Sequence, residues 1–97
     1  MPISVEMPTI PVRMRVDGKR ILEDLQHAIK KLDLAASDME LDFSAVHRVD
    51  TGVIRELDAL ADSADKKSVK LSLFGVNVEV YKVLKLVKLS RRFSLVN

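Results

Sequence analysis

Ser44, His47 and Asp50 stand three residues apart in the run SAVHRVD, and their types are those of a nucleophilic triad: a hydroxyl, an imidazole base and an orienting carboxylate. Spacing along one short run does not build that geometry, and no oxyanion cradle accompanies it. His47 therefore reads as a solvated loop residue. His27 falls mid-helix beside an apolar stripe and reads as a surface residue. Two histidines among scattered carboxylates fall short of a metal-ligand set. The chain has no Cys, which removes disulfides, thiol catalysis and thiolate metal sites. Its three glycines, Gly18, Gly52 and Gly75, lie too far apart for a phosphate-cradling loop. We expect no catalysis, no metal and no cofactor.

The run Asp50-Thr51-Gly52-Val53 is more informative. Asp50 or Thr51 can accept the orphan amide hydrogens of a helix that starts here, and Gly52 lets another backbone come close. A threonine hydroxyl at such a helix start, just after a strand, faces a partner at the carboxyl edge of the sheet. A phosphate on Thr51 would add about −1.5 to −2 charges, partly stabilised by the helix dipole but facing Asp50.

Periodicity indicates the elements that must position this run. Residues 1–11 hold all three prolines, Pro2, Pro8 and Pro11, and read as an extended lead-in that can add an edge strand. Val12, Met14 and Val16 alternate with arginines as a half-buried strand that ends at Asp17-Gly18, and Asp17 can cap the helix beyond it. From Lys19 to about Leu32, the residues Ile21, Leu22, Leu25, Ala28, Ile29 and Leu32 form a helical stripe. Met39, Leu41 and Phe43 mark a second strand, and Ser44–Val49 is a connector. The helix opened at Asp50 buries Val53, Ile54, Leu57, Leu60, Ala61 and Ala64, and turns at Asp65-Lys66-Lys67. Val69, Leu71 and Leu73 form a third strand, extended by Phe74 toward Gly75. Asn77 caps a third helix to about Leu89, and Phe93–Val96 closes the chain as a strand.

Strands alternating with helices predict a single α/β domain over residues 1–97, its strands joined by right-handed helical crossovers. A chain of 97 residues buries roughly 65% of its unfolded surface, enough for one core. With 47% hydrophobic and 31% charged residues the composition is globular. No apolar run exceeds four residues, and Met1-Pro2-Ile3-Ser4 is not a signal peptide, so we expect a soluble cytoplasmic protein.

The run from Met39 onward resembles the STAS family, named after sulfate transporters and anti-sigma factor antagonists. The resemblance rests on Leu41-Asp42-Phe43-Ser44, Val46, Val49, Asp50-Thr51-Gly52, Leu57 and Leu60. It continues through the Val69–Phe74 strand, the Glu79–Leu89 helix and the Phe93–Val96 strand. It implies a STAS-like domain with a mixed sheet of four to five strands and three or four helices. It also implies a non-catalytic binding module, an anti-sigma factor antagonist whose partner is an anti-sigma factor and serine kinase. Asp50 matches the family's motif aspartate and Thr51 its first hydroxyl, a candidate phosphorylation site. Gly52 stands where the sporulation antagonists carry serine, and Val53 replaces the motif glycine. Val49-Asp50-Thr51 is also similar to the small STAS subunit of Mla-type phospholipid transporters, which binds the transporter ATPase. Under either reading the partner-binding residues are Asp50, Thr51 and Gly52, with Arg55 and Asp58 further along the helix.

A second surface emerges from the third helix. Val80, Val83, Leu84 and Val87 share one arc and should face the sheet, whereas Val78, Tyr81, Leu86 and Leu89 fall beside Lys82, Lys85 and Lys88. That face suits an acidic partner or a homodimer contact. The charge is divided to match. Residues 1–65 carry 8 Lys/Arg against 13 Asp/Glu, a net of −5, and residues 66–97 carry 8 Lys/Arg against Glu79, a net of +7. Such a dipole can steer a charged partner. Nucleic acid is not expected, because no recognition motif accompanies the basic residues and the acidic part repels phosphate.

Overall fold

The computed structural model describes residues 11–34 and 37–96. Four strands and three helices alternate: β1 (Val12–Arg15), α1 (Ile21–Leu34), β2 (Met39–Asp42), α2 (Thr51–Lys67), β3 (Leu71–Phe74), α3 (Val78–Leu86) and β4 (Ser94–Val96). The sheet order is β1-β2-β3-β4, and every adjacent pair is parallel. One helix between each pair of neighbouring strands enforces that direction. The sheet expected to be mixed is thus parallel throughout its described strands. The candidate edge strand of the lead-in, residues 1–11, lies outside the described residues except for Pro11.

Register decides which side chains meet. Met39 aligns with Leu71 and Leu41 with Leu73, so β2 and β3 send the same phase into one face. That face and the buried residues of all three helices form a single core, with Leu25, Ala28 and Leu32 from α1, Leu57 and Leu60 from α2, and Val80 and Leu84 from α3. The opposite phase carries Arg13, Arg15, Glu40 and Asp42, with the Arg13 guanidinium 5.1 Å from the centre of the Phe74 ring.

The helix ends depart from simple periodicity for identifiable reasons. α2 runs through Asp65-Lys66-Lys67, the residues expected to turn, because Ser68 adopts the left-handed conformation at φ 54° and its amide reaches back to Ala64 and Asp65. α3 stops at Leu86, short of Leu89. Lys88 turns left-handed at φ 63°, and the amides of Leu89 and Ser90 both return to the Leu84 carbonyl.

Gly18 draws the loops together. A β-carbon on it would sit 2.2 Å from the carbonyl oxygen of Ala45, so only glycine lets the β1–α1 turn press against the β2–α2 loop. Gly75, at φ 68° and close to Ser44, does the same for the β3–α3 turn.

Candidate functional site

Three loops meet at the carboxyl edge of the sheet, and each helix start there is held by a carboxylate or an amide. Asp17 Oδ1 accepts from the Lys19 amide at 2.9 Å, and the Asp17 amide donates to Asp24 Oδ2 at 2.8 Å, which fixes the entry to α1. Asp50 is the cap of α2: its backbone is extended, and Oδ1 accepts from the Val53 amide at 2.9 Å. Asn77 caps α3 through Oδ1, 2.7 Å from the Val80 amide, while its Nδ2 donates to the carbonyls of Val46 and His47. Asn77 therefore ties α3 to the connector that carries Asp50.

Because Asp50 does the capping, Thr51 becomes the first residue of α2 and is exposed. Gly52 comes next without a backbone requirement for glycine. Its added β-carbon would lie 3.4 Å from Asp50 Oδ1 and 3.8 Å from Leu22, ordinary contact distances. The missing side chain leaves the surface flat beside Thr51. Arg55 is exposed and, four residues on, shares the face of Thr51. Asp58 belongs to that face too, but its carboxylate is engaged elsewhere: Oδ1 accepts from Arg92 Nη1 at 2.7 Å.

Arg92 also reaches Asp62 at 2.6 Å and Asp65 at 2.8 Å, and these carboxylates push its pKa further above the ordinary value. This clamp fastens the segment before β4 to α2. Exposed pairs are each worth about 0.2–1 kcal/mol, so Arg92→Met should lower stability by about 1–2 kcal/mol at low salt. Denaturant unfolding in 1 M NaCl should show a smaller difference.

The residues of the apparent triad do not come together. Asp50 is bound to the Val53 amide, and the Ser44 amide donates to Asp42 Oδ1 at 2.9 Å. His47 is exposed. The Ser44 hydroxyl and amide hold the Asp42 carboxyl below its ordinary 3.8, with Arg15 and Arg13 adding to the effect. A depressed folded-state pKa stabilises the fold above the unfolded value and loses that contribution as pH falls through the folded one. The stability difference between the wild type and Asp42→Asn should therefore be constant above about pH 5 and shrink below about pH 4, as measured by urea unfolding at each pH.

Sequence reasoning missed several neighbours of Thr51. Leu22, assigned to the buried stripe of α1, is 41% exposed and packs toward Gly52. It lines a shallow hollow with Lys19, Arg20, Asp50 and Val53, and an adjoining hollow is lined by Lys19, His47 and Arg48. The site is thus an apolar spot bordered by both signs of charge, Lys19, Arg20 and Arg48 alternating with Asp17, Glu23 and Asp50, next to an exposed hydroxyl.

The family model of the STAS domain matches residues 14–97. The chain belongs to the STAS domain family. No curated protein matches this STAS domain significantly. Among solved structures it is similar to a crystal structure from Thermotoga maritima described as a candidate anti-sigma factor antagonist, with 18% identity and a TM-score of 0.64 over 94% of this chain and 75% of the other. At that identity the likeness speaks for the fold. Among the described residues of the STAS domain, no helix is long and apolar enough to cross a membrane.

Of the second surface expected on α3, Val78, Tyr81, Lys82, Lys85 and Leu86 are exposed. Leu89 is not. It is 4% exposed and belongs to the core, because the left-handed Lys88 folds the chain back beneath α3.

Proposed function

We propose that this STAS domain is a non-catalytic, cytoplasmic regulatory module that works by binding a protein, as an anti-sigma factor antagonist that engages an anti-sigma factor of the serine-kinase type. The observation that carries this reading is the exposed Thr51 at the first position of α2, left free of capping duty by Asp50. Asp50 orients the helix start, Thr51 offers its hydroxyl, Gly52 admits the partner's backbone, and Arg55 extends the contact along α2. Asp58 contributes through the Arg92 clamp, which holds that face in place.

A phosphate on Thr51 would sit at a helix N-terminus, beside Asp50 and near the cations of the two hollows. Such a group would add negative charge at the surface that the partner meets, and so would act as an off-switch. With Gly52 in the next position, Thr51 is the one hydroxyl in the Asp50–Val53 run available for it.

Affinity purification of the tagged chain from its native cell, coupled to mass spectrometry, tests this. The expected co-purifying protein is a small kinase-fold anti-sigma factor. Recovery of a transporter ATPase instead would move the domain to the phospholipid-transporter branch, and recovery of neither would remove the protein-binding reading.

A further inference from the structure

At the opposite side of the sheet from β1, a groove of about 500 Å³ opens between α3 and β4. It is lined by Val78 and Tyr81 from α3, the buried Phe93, and Leu95 and Val96 of β4. Val78 is 68% exposed, although apolar residues line the groove on both sides. Two further features bear on what fits there. β4 is the outermost of the described strands, so its outer edge offers backbone donors and acceptors in register for another strand. Lys85, one helical turn after Tyr81, and Arg91, next to the groove residue Ser90, are exposed and make no ion pair among the described residues, since the ion pairs all belong to Arg92.

We propose that this groove binds an extended acidic segment of a partner protein, which adds to the edge of β4, seats an apolar side chain between Tyr81 and Leu95, and pairs its carboxylates with Lys85 and Arg91. Strand addition supplies main-chain hydrogen bonds, and the groove beside the edge strand supplies side-chain selectivity. The charge chooses the occupant. In a symmetric pair of this chain each patch would face its own copy, bringing lysine against lysine, whereas an acidic strand meets complementary charge. A flat lipid surface would use neither the concave groove nor the strand edge. This surface is separate from the Thr51 site and does not depend on it.

The test is an NMR titration of the ¹⁵N-labelled chain with an acetylated and amidated heptapeptide that alternates Asp or Glu with Val and Leu. A counterpart with Lys at each acidic position serves as the control. Saturable shifts are expected at Val78, Tyr81, Leu95 and Val96 with the acidic peptide alone. The double variant Lys85→Glu/Arg91→Glu should bind about tenfold more weakly or worse, with an unchanged unfolding midpoint. Tyr81→Ala should weaken binding without touching the charges. Absence of saturable shifts, equal binding of the lysine peptide, or full binding by the double variant would overturn the proposal. So would micromolar self-association abolished by Tyr81→Ala, which assigns the groove to a second copy. Co-sedimentation with phosphatidylglycerol vesicles in place of peptide binding would assign it to a membrane surface.

Discussion

Thr51→Glu is expected to abolish partner capture while leaving the thermal unfolding midpoint nearly unchanged. The fold has little reason to object. Thr51 is exposed in the first turn of α2, where a carboxylate is favoured by the helix dipole by about 0.3–1 kcal/mol. The contact has every reason to object, because the new charge lands beside Asp50 at the centre of the surface and must be desolvated without a designed partner. Central interface positions of this kind cost about 2 kcal/mol or more, at least about 30-fold in affinity. Thr51→Ser, which keeps the hydroxyl, should retain binding. Measured by calorimetric titration with the purified partner, undiminished affinity of Thr51→Glu would remove Thr51 from the interface.

The second large effect lies in the core beneath that site. Phe43 is fully buried, and it comes directly after the last residue of β2, at the point where the chain leaves the sheet. Its amide donates to the Phe74 carbonyl at 2.7 Å, and its own carbonyl accepts from the Val46 amide at 2.9 Å, so Phe43 anchors the start of the turn that leads toward Asp50. Phe43→Ala deletes the whole ring from close-packed surroundings and should cost about 3–5 kcal/mol. For a domain whose total stability is of order 5–15 kcal/mol, that is a large part of the whole. Urea unfolding should show the midpoint fall steeply, and partner binding should fall with it, in contrast to Thr51→Glu, where binding falls alone. A loss below about 1 kcal/mol would mean that the ring is not packed as described.

The two variants separate what was legible in the sequence from what was not. The alternation of Met39, Leu41 and Phe43 sufficed for β2, and Asp50 and Asn77 announce their helices because a carboxylate or amide at that spacing has an orphan N–H to accept. Strand direction was legible too, because a helix between neighbouring strands makes them parallel, and the mixed sheet was an expectation carried by the family resemblance. The end of α3 at Leu86 was not legible. Leu89 continues the helical spacing, but its burial is won by reversing the chain at Lys88, a tertiary choice with no local sign. At the site, Asp50, Thr51 and Gly52 were legible as a contiguous run. Leu22 and Lys19 were not, because they come from another helix start some thirty residues away and arrive only through the contact of Gly18 with Ala45. The one signal pointing to them was the Asp17-Gly18 turn shortly after β1.

The proposed function requires that another protein hold the first turn of α2. Photo-crosslinking in the native cell reads this most directly, with benzoylphenylalanine in place of the exposed Arg55 in one chain and of the exposed Lys31, in the last turn of α1, in another. A discrete adduct with one protein from position 55, absent from position 31, is the predicted result. Adducts from position 31 and none from position 55 would contradict it.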